Sequence, residues 1–198
     1  MKTKRLSSVL WVLLALGVAY GPSRAHAQLP PPVVLPVPTV TQDTMVWCWL
    51  AVSEMVIRYR NWGAGFRQCQ MMEVGYRVPP GTCCGNPNLC ARPGSIQEIQ
   101  GVIASFGGRF SSLAPPTNYQ VLYNILQSGR PVIAQIATGG SIGHVVVIRG
   151  MGFQPFINML GMPDVAPILM INDPMSIVPA QVPYAQFLAI WRASIIVH

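Results

Sequence analysis

The sequence predicts an α+β protein, with N-terminal helices packed on an antiparallel β-sheet. Two observations carry this. Up to Gly129, apolar residues recur at helical spacing between N-cap and glycine stop signals. From Pro131 onward they fall instead in short β-branched runs, "PVIAQIA", "HVVVIRG", "PILMIND" and "RASIIVH", broken by glycine and proline. Continuous apolar runs of this kind suit a sheet covered on one or both faces, and helices followed by strands make an α+β chain.

The first segment is read apart from the fold. "MKTKRLSS" is basic, "VLWVLLALGVAYG" is apolar, and Ala25 and Ala27 stand where a signal peptidase reads small residues. The apolar run is shorter than the roughly 20 residues of a membrane span. No cysteine follows it closely, so there is no lipid-attachment signal. The expectation is an N-terminal signal peptide, residues 1–27, cut after Ala27, and a secreted or periplasmic product. Residues 28–198 then carry no membrane span. They number 171, enough for one domain with a real core.

The excess of positive charge shrinks with the leader. Residues 28–198 hold nine arginines, no lysine and six acids. A scattered net +3 does not make the clustered basic face that nucleic acid requires.

Residues 28–40, "QLPPPVVLPVPTV" after the first alanines, are proline-rich and predict an extended segment, a tether or a strap over the domain of residues 41–198. A helix follows from about Trp47 to Arg60, with Ala51, Met55 and Tyr59 beside Val52 and Val56 forming one apolar face. Residues 61–94 read as a Cys/Gly/Pro loop region. Ser95 and Glu98 form a capping box for a second helix that ends at Gly107–Gly108. Asn118 caps a third helix, "YQVLYNILQSG", which stops at Gly129.

An exported chain keeps its cysteines in an oxidising compartment. Five is odd, and four of them (Cys69, Cys83, Cys84 and Cys90) crowd into one loop region. Adjacent cysteines bridge poorly. That leaves two pairings, 69–83 with 84–90 or 69–84 with 83–90. Disulfides are favoured over a four-cysteine zinc site by the compartment. Either pairing leaves Cys48 as the free thiol.

Cys48 stands at a helix start, in "TQDTMVWCWLAVSEMV", where amide N–H groups and the helix dipole favour a thiolate. A thiolate nucleophile needs a base, and the base needs an orienting group. His26 falls in the leader and His198 ends the chain, which leaves His144, opening a strand after Gly143. The run "PILMINDPM" ends in Asn172 and Asp173 before Pro174, a polar pair suited to holding an imidazole. Asp173 is preferred as the third member, with Asn172 the alternative; Asp164 sits in a loop. An oxyanion needs N–H donors, which the Cys48 backbone and the Gln42 side chain can supply.

Gln42 six residues before a Cys-Trp pair at a helix start, Gly-His heading a later strand, and "PILMINDP" after it resemble the papain-like cysteine peptidases. "WCW" with the "QC…CC…C" loop is most similar to the compact bacterial branch of AvrRpt2-type peptidases. "SGRPVIAQI", "GHVVVIRG" and "NDP" also resemble the C39-like peptidases that process bacteriocins. The resemblance implies a papain-like peptidase fold and a protein or peptide substrate. It implies Cys48 as nucleophile, His144 as base, Asp173 as its orienting partner and Gln42 at the oxyanion, with no metal or cofactor. The same triad also serves transpeptidases, deamidases and cell-wall amidases. A disulfide-stapled binding module with an inactive triad is the reading from another class. Papain itself carries asparagine as third member and a long pro-domain, and this chain is shorter than papain.

Overall fold

A computed structural model describes residues 29–60, 65–107, 109–139 and 143–198. The expected leader and its cleavage site lie outside them. The described chain is α+β, with a seven-stranded sheet in which every pairing is antiparallel.

The proline-rich segment is a strap laid on the domain. Its two-residue strand β1 (Val33–Val34) pairs with Met151 and Gly150. The Leu35 N–H then donates to the Arg149 carbonyl at 2.8 Å, and Leu35 and Val37 are buried.

Helix α1 (Cys48–Tyr59) is the central helix. It packs on two of the later helices and on the sheet, and every residue from Trp49 to Ile57 is buried. One apolar face was expected; the helix is enclosed on all sides, as its nearly unbroken apolar sequence requires. Its two buried polar residues are satisfied locally. Ser53 Oγ donates to the Trp49 carbonyl at 2.7 Å, and Glu54 meets Arg58 and Gln68.

The expected loop of residues 61–94 is a correction. It holds helix α2 (Gln68–Tyr76), the single turn α3 (Thr82–Gly85) and a 3₁₀ turn (Pro87–Cys90). Short polar helices of this kind carry little periodicity, and the cysteines masked what remained. Cys69 is bridged to Cys84 and Cys83 to Cys90, the second of the two pairings left open above. Loops of 15 and 7 residues closed in this way contribute about 2–3 kcal/mol each. Glu73 sets the geometry: its Oε1 accepts from the Cys83 and Cys84 amides, each at 2.9 Å.

Helix α4 (Ile96–Gly107) begins at the Ser95–Glu98 capping box, present in both directions. Strand β2 (Ser111–Ala114) follows, an element that the sequence reading passed over. Helix α5 (Tyr119–Gln127) is capped by Asn118, whose side chain accepts from the Val121 N–H at 2.9 Å.

The rest is mostly sheet: β3 (Val132–Ile136), β4 (His144–Ile157), β5 (Pro163–Asn172), β6 (Gln181–Pro183), a short helix α6 (Tyr184–Ile190) and β7 (Trp191–Val197). The order across the sheet is β2, β7, β3, β4, β5, β6, with β1 beside β4. Strands β4 and β5 run well past their expected ends as one long hairpin. No helix among the described residues is long and apolar enough to cross a membrane.

Candidate active site

The site forms where the N-terminus of α1 meets the start of β4 and the end of β5. Register decides which side chains face it. On β5, Asn172 pairs with Val147 of β4. Side chains alternate between faces, so Asn172 falls on the face of Val145 and Val147. The next residue, Asp173, falls on the face of Val146 and His144. Accordingly His144 Nε2 lies 2.6 Å from Asp173 Oδ1, with both residues buried. Asn172 turns the other way. Its Nδ2 donates to the carbonyls of Val37 at 2.9 Å and Pro38 at 3.3 Å, clamping the strap to the sheet.

The His144 ring is also hydrogen-bonded to the Cys48 side chain. Nε2 being held by Asp173, the nitrogen left for Cys48 is Nδ1. Burial alone would lower the imidazole pKa. The hydrogen bonds to Asp173 and Cys48, and their charges, outweigh burial and raise it to about 9. Burial likewise works to raise the Asp173 carboxyl, and is outweighed by His144 and by backbone donors, so that its pKa is lowered. Those donors are numerous. Asp173 Oδ1 also accepts from Met175 N–H at 2.8 Å, and Oδ2 from Ile177 and Val178 at 2.9 and 2.7 Å. Thus Asp173 both holds the imidazole and folds the loop after it, which lines the cleft through Met175 and Ile177.

Cys48 is half-buried and is the free cysteine among the described residues. No side chain caps its helix. The Trp47 carbonyl accepts from Leu50 and Ala51, each at 3.0 Å. As the first residue of α1, Cys48 has a backbone N–H among those that no intrahelical carbonyl reaches.

The flanking tryptophans are wall rather than binding groups. Trp47 and Trp49 are buried, and their indole N–H groups donate to the carbonyls of Cys90 and Arg92 at 3.3 and 3.2 Å. The disulfide-bonded segment is thereby held against the start of α1, and its continuation, Pro93 and Gly94, forms one side of the cleft. A Cβ on Gly94 would lie inside the Trp49 ring, so only glycine lets the wall approach this closely. The cleft encloses about 440 Å³, with Cys48 and His144 on its floor and Met45 and Ile177 exposed in its lining.

Gln42 is placed beside the site but not in its lining. Its backbone N–H donates to the Pro174 carbonyl at 3.3 Å, and its Nε2 donates to the Thr44 carbonyl at 2.6 Å. Among the described residues no acceptor meets the other amide proton of that nitrogen. Asp164 lies exposed on the hairpin, remote from His144 along β5. Missing from the sequence reading were the cleft walls at Pro93 and Gly94 and at Met175 and Ile177. The signal was present in the glycine after Pro93 and in the apolar residues after Asp173-Pro174.

This geometry fits what comparison with known proteins returns. A family described as the papain-like cysteine protease AvrRpt2 matches residues 33–190. The fold is similar to the peptidase domain of Streptococcus ComA, a bi-functional ABC transporter involved in quorum sensing. The TM-score is 0.53 at 16% identity, over 81% of this chain and 97% of that one. It is similar also to a putative C39-like peptidase from Bacillus anthracis, with TM-score 0.53 and 16% identity over 85% and 98% of the two chains. At such identities the likeness is one of fold. No curated protein sequence matches the chain.

Proposed function

The chain belongs to the AvrRpt2 family of papain-like cysteine proteases, and on that premise we propose that it is a secreted peptidase hydrolysing peptide bonds through Cys48, His144 and Asp173. The observation that carries the proposal is the His144 ring, held by Asp173 through Nε2 and hydrogen-bonded to Cys48 on its other side.

In the proposed reaction the Cys48 thiolate attacks the substrate carbonyl, forming a tetrahedral oxyanion beside the Cys48 N–H at the open end of α1. The second amide proton of Gln42 is the further donor proposed for that oxyanion. His144 gives its proton to the leaving amine, which breaks the C–N bond and leaves a thioester on Cys48. His144 then takes a proton from water as the water attacks the thioester. The acid product departs, and the thiolate–imidazolium pair is restored. Asp173 keeps its charge throughout and holds the ring in place. The proposed substrate is a protein or peptide lying along the cleft, with apolar side chains against Met45 and Ile177.

Treating unreduced protein with iodoacetamide near neutral pH tests the premise of a single activated thiol. One label is expected, on the peptide containing Cys48, together with loss of peptide hydrolysis. Labelling at two or more cysteines, or full labelling with hydrolysis intact, would overturn the proposal.

A further inference from the structure

Gln68, the first residue of α2, is only 2% exposed and stands outside the cleft lining. A buried amide must find partners for its oxygen and its nitrogen. Those of Gln68 come from distant parts of the chain. Its Oε1 accepts from the Asp43 N–H at 2.9 Å. Its Nε2 donates to the Thr41 carbonyl at 2.8 Å and to Glu54 Oε2 at 3.2 Å.

Two of these three bonds bracket Gln42. The Thr41 carbonyl belongs to the peptide unit before Gln42, and the Asp43 N–H to the unit after it. One side chain therefore holds both flanks of that residue. The N–H of the first unit, on Gln42 itself, is held from the other direction by the Pro174 carbonyl at 3.3 Å. Residues 41–47 lie in neither a helix nor a strand, so no ladder of backbone bonds aims the Gln42 side chain. The clamp from Gln68 and Pro174 does so instead.

The third bond reaches α1. Glu54 stands on the helix that begins with Cys48, is itself buried, and pairs with Arg58. Gln68 thus ties the arm of residues 41–43 to α1. Its own base is fixed too, because the next residue, Cys69, is bridged to Cys84. The two donors proposed for the oxyanion come one from each of the tied pieces, the Cys48 N–H from α1 and the Gln42 amide from the arm. Such donors work only within about 2.7–3.1 Å of the developing charge. A misplacement of about 1 Å can cost about a hundredfold in rate.

The residue type fits this duty. A carboxamide supplies the acceptor that the Asp43 N–H needs and the donors that Thr41 and Glu54 need. Glutamate would keep the first, lose the other two and set a second carboxylate against Glu54. Methionine would fill the same space and make none of the three.

We propose that Gln68 is a positioning residue for the oxyanion, setting the place of the Gln42 amide relative to the Cys48 N–H without itself touching substrate. The inference rests on the peptidase reading above.

The test compares Gln68→Met, Gln42→Ala and the double variant with the unsubstituted protein in two assays, peptide hydrolysis and alkylation of Cys48 by iodoacetamide at neutral pH. Alkylation displaces iodide and forms no oxyanion, so it reports the thiol apart from the oxyanion donors. Gln68→Met should lower kcat about ten- to a hundredfold with a smaller change in KM, while the alkylation rate stays within about twofold. In the Gln42→Ala background the same substitution should change kcat by less than about twofold, because the group it positions is gone. Gln68→Asn, whose amide falls one methylene short, should show the same split and serves where the methionine variant does not fold. Near-normal kcat in a folded Gln68 variant would overturn the proposal. So would losses that multiply in the double variant, or hydrolysis and alkylation falling together, which would make Gln68 a support of the fold alone. Absence of hydrolysis by the unsubstituted protein would overturn the peptidase reading and this inference with it, whereas the other outcomes overturn the inference alone.

Discussion

His144→Ala is expected to lower kcat/KM for peptide hydrolysis by at least about a thousandfold, the upper part of the range for a positioned general acid–base. The effect should be large because the proposed mechanism gives one ring three purposes. There it pairs with the Cys48 thiolate, protonates the leaving amine and activates the water. Among the described residues no other histidine is positioned to substitute. His198, the only other one among the described residues, is bonded to Ser112 and Arg130 on the far edge of the sheet. Because His144 is buried, its loss leaves a cavity, and unfolding must be measured alongside activity. A folded His144→Ala protein with near-normal hydrolysis would remove His144 from the mechanism.

Asp173→Asn should lower kcat by about 10²- to 10⁴-fold with a smaller change in KM, as loss of an orienting carboxylate does. The amide keeps the shape, but not the charge that stabilises an imidazolium. Asn was chosen over Ala because the carboxylate also accepts from three backbone N–H groups, and alanine would release the loop of residues 174–178. Asn172→Ala provides the contrast. It frees the strap at Val37 and Pro38, at a cost of about 1–3 kcal/mol of stability for buried groups left unpaired, and leaves His144 held. Near-normal kcat in Asp173→Asn with a large loss in Asn172→Ala would reverse the assignment.

The choice between these neighbours shows where the sequence stopped being legible. That one of the two faces His144 follows from alternation along a strand. Which one depends on the pairing of Asn172 with Val147, and nothing local encodes that register. The preference for Asp173 rested on charge; the register puts Asp173 on the face of His144. The helix starting at Cys48 and the caps at Ser95 and Asn118 were readable because caps and helical periodicity are local. The helices inside residues 68–90 were not, because their order comes from two disulfides and from Glu73 reaching back to Cys83 and Cys84. The cleft walls were hidden for the same reason. Trp47 and Trp49 are linked to residues 90 and 92 across 43 positions of sequence, through indole donors that any buried tryptophan must satisfy somewhere.

The His144 environment also ties stability to pH. Its imidazole pKa is raised to about 9, above an unfolded value of about 6.5. The stability it contributes is therefore fully present below about pH 6.5 and is lost as pH rises through about 9. Asp173 has the opposite sign. Its pKa is lowered, so its contribution is present above the unfolded value and is lost as pH falls through the folded one. Hydrolysis should decline through the same upper limit, where the imidazolium proton leaves and the amine loses its acid. These limits belong to the coupled His144–Asp173 pair.

The most direct test of the Cys48–His144 pair is the rate of Cys48 alkylation by iodoacetamide at one neutral pH, in the unsubstituted protein and in His144→Ala. With the pair in place, alkylation of the unsubstituted protein should be fast. In His144→Ala, at the same pH, it should be slower by at least about tenfold. Equal rates in two folded proteins would contradict an activated Cys48 and with it the proposed peptidase mechanism.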